Sequence, residues 1–144
     1  MYEELVKERE NLSLAGFPAT LNNSNIICGP VDMSNFHRVS FTILVGAVTA
    51  GAAVQGILQQ SANLNMNVVT NVAGAITTNM TVANQQATVE AGAMQLSNRY
   101  VQLLLQETGV KNATCSVSGG GSCPRNHPQN KDDASVNQRV VSTN

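Results

Sequence analysis

Two segments of this chain alternate apolar and polar residues with a period of two, and that pattern constrains the fold more than any other feature. In Arg38–Val48, RVSFTILVGAV, the residues Val39, Phe41, Ile43 and Val45 fall on one side of an extended chain. Ser40, Thr42, Leu44 and Gly46 fall on the other. In Asn98–Gln106, NRYVQLLLQ, Arg99, Val101, Leu103 and Leu105 share one side, opposite Tyr100, Gln102, Leu104 and Gln106. Each run opens with an Arg and has one apolar face, and Asn98 and Gly109 punctuate the second as turn residues. Leu and Gln are good helix formers, so periodicity alone leaves a helix open for the second run. The shared pattern and the β-branched content of the first run favour two strands of a small β-sandwich. Its core face is predicted to be Val39, Phe41, Ile43, Val45, Val101, Leu103, Leu105 and Val117.

Charge is distributed unevenly. From Val39 to Val89 there is no Lys, Arg, Asp or Glu, and the polar positions are Asn, Gln, Ser and Thr. A free monomer usually keeps a charged surface for solubility, so an amide-rich surface suits packing against other protein. With net charge -1 the chain carries no electrostatic footprint for nucleic acid or an anionic membrane, and neither is expected as a partner. Only 3% of residues are aromatic and there is no Trp, so the core is built from Val, Ile, Leu, Met and Ala.

Along the chain, residues 1–30 read as an N-terminal arm, 31–124 as the sandwich domain and 125–144 as a polar tail. Met1–Glu10 has the spacing of a short amphipathic helix, and no apolar signal segment opens the sequence. Ile26–Cys28 is a short strand stopped by Gly29-Pro30. Arg38–Val48 and Ala53–Ser61 are read as a hairpin across the small-residue turn Thr49–Ala52. Val68–Ile76 and Ala87–Glu90 are weaker strands, Ala91–Ser97 holds one helical turn, Ala113–Val117 is a final strand, and Ser118–Ser122, SGGGS, closes the domain. Two rival readings compete with this one. Phe41–Leu58 is nearly long enough for a membrane span, but alternation explains its first half better. Ala73–Gln106 has the Ala and Gln content of a helical pair, opposed by Thr77-Thr78, Thr81-Val82 and Thr88-Val89.

No constellation of residues points to catalysis. SGGGSCP lacks the Gly-Lys-Ser/Thr of a phosphate loop. Cys115, Cys123 and His127 fall short of a four-ligand metal site, and His37 stands apart. A Cys123–His127 pair lies in a Gly/Pro-rich segment with no rigid scaffold, and Asp32, Glu90 and Glu107 are too sparse for an acid/base pair. No enzyme, metal or cofactor is expected. An odd number of cysteines argues for free thiols, with Cys115 in the core and Cys123 in a loop, although a bridge across the Gly-rich turn is open. Isolated apolar residues in the polar arm and tail, namely Tyr2, Leu5, Phe17, Leu21, Val136, Val140 and Val141, are the expected partner-binding anchors.

The order of these segments resembles the small virion structural proteins of tailed bacteriophages that decorate or cement the head. The residues that carry the likeness are FHRVSFTILVGAVTAGAAVQGILQQS, then NVAGAITT, then ANQQATVEAGAMQLSNRYVQLLLQETG, and a CPRNHP exit. Gln59-Gln60-Ser61 stands where relatives end their return strand, and Arg99-Tyr100-Val101-Gln102-Leu103 where they have an Arg-Tyr-Val-Arg-Leu strand. The likeness covers Phe36–Pro128, and the arm and the tail beyond Pro128 depart from it. It implies an all-β fold, an antiparallel β-sandwich of jelly-roll or immunoglobulin-like type. It also implies the major capsid protein and sister copies as partners, in a dimer or trimer, on the outer surface of the virion head after assembly in the host cytoplasm. A neck, tail or fibre-base protein, or a helical membrane-active or secreted protein, are the alternatives.

Overall fold

The structure, a computed structural model, describes residues 10–12 and 16–124. These described residues form nine strands: β1 (Glu10–Leu12), β2 (Gly16–Leu21), β3 (Asn25–Asp32), β4 (Phe36–Val48), β5 (Val54–Ser61), β6 (Thr70–Ile76), β7 (Gln85–Gly92), β8 (Tyr100–Glu107) and β9 (Ala113–Pro124). A 3-10 helix over Ala93–Gln95 separates β7 from β8. Every pairing is antiparallel. One sheet runs β2-β9-β4-β7, with β1 also on β9, and the other runs β3-β8-β5-β6. The pairs nest: β5 with β6, β4 with β7, β3 with β8, β2 with β9. A long hairpin rolled into two sheets of this order is a jelly roll, the first of the two sandwich types expected.

The core lies between the sheets, and alternation placed its main residues correctly. Val39, Phe41, Ile43, Val101, Leu103 and Leu105 are fully buried, with Val45 and Val117 nearly so. Val54 and Leu58 of β5 complete the layer from the second sheet. On β5, Gly56 stands where a Cβ would collide with the tip of Ile43 across the core.

Four local readings change. β4 and β5 are not a hairpin, because they lie in opposite sheets and present their apolar faces to each other. The connection between them is an arch, held by Thr49 N–H to Asn112 O at 2.8 Å and Ala52 N–H to Thr49 O at 2.9 Å. Gly29-Pro30 does not stop β3; it is a cis bond at a register shift, and the strand resumes from Val31. Ser118–Ser122 is strand, not closing loop: Gly119, Gly120 and Gly121 face Phe41, Ser40 and Val39 of β4. A Cβ on Gly121 would strike the Phe36 ring, and one on Gly119 would strike the Phe41 backbone, so these glycines make room for the two aromatic residues. The fold also begins earlier than residue 31. β2 and β3 belong to the two sheets because Leu21 and Cys28 fill core positions at 3% and 0% exposure.

Among the described residues no helix is long and apolar enough to cross a membrane. The proposed helical pair in Ala73–Gln106 is instead β6, β7 and β8 with the short 3-10 helix. Cys28 and Cys115 are both buried in the core, and the Cys115 thiol donates to Ala113 O at 3.7 Å. Burial, with a lesser contribution from the Glu107 charge, pushes the Cys115 thiol up to about 11. Cys115 and Cys123 sit eight positions apart on the one extended strand β9, too far apart for a bridge.

Candidate interaction surface

The outer face of the β3-β8-β5-β6 sheet is built from the residues that alternate with its core positions. On β8 these are Tyr100, Gln102, Leu104 and Gln106, the face that the sequence pattern had already set apart. Register aligns them with outward residues of the neighbouring strands. Ile27 lies opposite Leu104, Leu104 opposite Ile57, and Ile57 opposite Ile76. An apolar row therefore crosses all four strands. Its ends are open, Ile27 at 54% and Ile76 at 51% exposure, while Ile57 is covered by its neighbours.

Amide rows flank this stripe on both sides. Gln102 Nε2 donates to Gln59 Oε1 at 3.1 Å, and Gln59 Nε2 donates to Asn71 Oδ1 at 3.3 Å, a ladder across β8, β5 and β6. Gly29 lies against the Gln102 backbone with φ +126, where a Cβ would crowd Gln102 Cα at 3.0 Å. That close approach, together with the ladder, leaves Gln102 only 6% exposed. On the other side Asn25, Gln106 and Gln55 align, and Gln55 Nε2 donates to Thr77 O at 3.1 Å. None of these residues is charged.

Charge sits at two places on the margin. Arg99 grips Asp32 with two hydrogen bonds, Nε to Oδ1 at 2.8 Å and Nη2 to Oδ2 at 2.7 Å, and lies 5.2 Å from the Tyr100 ring centroid. The hydrogen bond from Arg99 holds the Asp32 carboxyl at about 2 against the opposing effect of burial. Glu107 is buried at the far end of β8. Its Oε2 accepts from Asn23 N–H at 2.7 Å, and its Oε1 from Ala53 N–H at 3.3 Å and Gly109 N–H at 2.6 Å. Burial alone would raise this carboxyl, but the backbone donors, Lys111 N–H included, together hold it below the usual range.

This face offers apolar contact and neutral hydrogen-bonding groups in fixed register. Of the anchors expected from sequence, Leu21 is described with its side chain, and it is not on this face. Leu21 packs into the chain's own core, because its side of β2 faces inward over β9. Phe17 lies on β2, with its side chain outside the described set. Tyr2, Leu5, Val136, Val140 and Val141 lie outside the described residues. Ile27, Ile57, Leu104 and Ile76 were missed as a group. Alternation shows which way each points, but only the register brings them into one row.

No family model matches the chain, and no curated protein does. Among solved structures, the chain is similar to the Yersinia pseudotuberculosis-derived mitogen, over 92% of this chain and 99% of that one, at 9% identity and TM-score 0.44. It is also similar to the D431N mutant VP2 protein of infectious bursal disease virus, from derived T=1 particles, at 11% identity and TM-score 0.27. That likeness covers 97% of this chain and 44% of the VP2 chain. Neither carries an argument about function.

Proposed function

We propose that this protein is a non-enzymatic structural component of a virus particle, a decoration or cement protein that binds the major capsid lattice on the outer surface of a phage head. The observation that carries the reading is the uncharged outer sheet face, with one apolar row across four strands between two amide rows. Such a face matches a repeating protein lattice better than it matches a small substrate or a polyanion. The jelly roll occurs in viral capsid domains, but also in lectins and cupins, so the fold permits the role without assigning it. The resemblance of the Phe36–Pro128 sequence to head-decoration proteins supports the capsid role among these. Assembly in the host cytoplasm follows from the same reading.

Electron cryomicroscopy of the particle that carries this chain tests it directly. The expected result is density for the jelly roll on the outer head surface, with the Ile27–Ile76 row against the capsid. Density confined to the neck, tail or fibre base would replace decoration by that other virion role. Absence from purified particles would overturn the proposal. Ile27→Asp should lower the copy number on particles without unfolding the protein, since the side chain is half exposed.

A further inference from the structure

Among the described residues each sheet ends in strands with an unpaired edge, an open template for another chain, and natural proteins blunt such edges with Pro, charge or bulges. Three of the edges here are treated that way. β3 carries Pro30 and a register shift between Cys28 and Val31. β2 carries Pro18 and a shift between Gly16 and Ala19. β6 has Gly74 at φ +75, and its pairing with β5 shifts between Ile57 and Gln59. β7 has no Pro, no register shift and no positive-φ glycine. It pairs with β4 without a break from Arg38↔Gly92 to Val45↔Gln85, contains no Pro, Lys or Arg, and carries one charge, Glu90. Its outward side chains Gln86, Thr88 and Glu90 are exposed, while Val89 and Ala91 face the core.

We propose that the free edge of β7 pairs antiparallel with β7 of a second copy, with Thr88 of each copy on the two-fold axis. Three observations fix the occupant and the register. Opposed residues on paired strands point to the same face, so a shift by one residue would set buried Val89 against the exposed face of the partner. The open stretch ends at Ala91, because Gly92 N–H is taken by Gln95 Oε1 at 2.9 Å. Centring on Thr88 uses the whole stretch from Gln85 to Ala91, with the two ends opposite each other. This register also places Gln86 opposite the partner's Glu90, amide against carboxylate, twice over. Centring on Glu90 would instead oppose two carboxylates, which is destabilising. No other charge lies nearby in sequence, since Val39–Val89 has none, so two copies approach without repulsion along β6 as well. The same edge serves any self-association of this chain, whether or not the virion reading holds.

Sedimentation velocity on the full chain across the micromolar range should show a monomer–dimer equilibrium. Thr88→Glu and Thr88→Lys each place like charges on the axis and should weaken the dimer by at least about tenfold. Mixed together, the two variants should restore it as a heterodimer. Melting temperatures check that both remain folded, as expected for an exposed side chain. Thr88→Cys should cross-link between copies under copper-phenanthroline oxidation. Gln86→Cys should not, because its partner position lies about 14 Å away along the strand. A wild-type chain that stays monomeric overturns the proposal, as does a Thr88→Glu variant that dimerises like wild type. Cross-linking through Gln86→Cys instead of Thr88→Cys overturns the register.

Discussion

The two halves of the β3-β8-β5-β6 sheet are held by different chemistry. In the β3–β8 half the fixing groups are charged: Asp32 gripped by Arg99 at one end, and Glu107 inside a ring of backbone N–H donors at the other. In the β5–β6 half they are neutral. Gln59 and Asn71 hydrogen-bond across the strands, Gln55 reaches Thr77 O, and Thr77 Oγ1 accepts from Gly56 N–H at 2.9 Å. The charged groups tie loops to strand ends, where several backbone donors converge and a full negative charge is needed to satisfy them. The neutral ones link strands along a face meant to stay uncharged. One half therefore responds to pH and the other does not.

The largest effect belongs to the seam between the halves. Leu103 is fully buried and lies opposite Cys28 on one side and Leu58 on the other. Leu103→Ala should cost about 2–5 kcal/mol, read as a fall in denaturant midpoint. An unchanged midpoint would break the comparison by showing that the halves do not share one core.

Acid should separate the halves next. Glu107 has its folded pKa below the unfolded value, so its stabilisation is present above the unfolded pKa and is lost as pH falls through the folded one. Melting temperature should hold level near neutrality and drop on acidification. Glu107→Gln puts an amide N–H₂ among backbone donors, so it should lower the neutral plateau and flatten the acid limb. An acid limb of unchanged depth in Glu107→Gln would remove Glu107 as its source.

Asp32 has the same sign, and its carboxyl is held at about 2 in the folded state. Its stabilisation is lost between the ordinary carboxylate range and that value. The Asp32–Arg99 pair is open to solvent, so screening keeps the cost of Asp32→Asn at neutral pH below about 1 kcal/mol. High salt should shrink the difference further. The smallest effect is expected in the neutral half. Ile76→Ser changes a half-exposed side chain and should move stability by no more than about 0.5 kcal/mol, with no pH dependence. A larger loss would mean that the apolar row supports the fold as well as a partner.

What the sequence made legible was local, and what it hid was pairing. Period-2 alternation identified Val39, Phe41, Ile43, Val45, Val101, Leu103, Leu105 and Val117 as core, because the pleat alone decides which way a side chain points. Nothing local says that β4 pairs with β7 and β9 and not with β5, so the arch at Thr49–Ala52 looked like a hairpin turn. Gly119 and Gly121 looked like loop residues because the reason for them, the rings of Phe41 and Phe36, stands on a strand far away in sequence. Leu21 looked like an arm residue for a similar cause: its burial depends on β9 reaching back to β2. The candidate surface followed the same rule. The outward direction of Leu104 was readable, and its alignment with Ile27, Ile57 and Ile76 was not.

The nesting of the strand pairs also orders events in time. The innermost pair, β5 with β6, can form as soon as both have left the ribosome, and each further pair waits for a later strand: β4 for β7, β3 for β8, β2 for β9. Thr20 and Thr114, which share a hydrogen bond, are separated by 94 positions. Contacts this distant make folding slow and late, because the intervening chain must be ordered before they are gained. A nascent chain halted before Ala113 would hold β2 and one side of β4 without a neighbour, and those bare edges are the ones a crowded cell punishes with aggregation. Translation of β9 is thus the step that closes the sandwich.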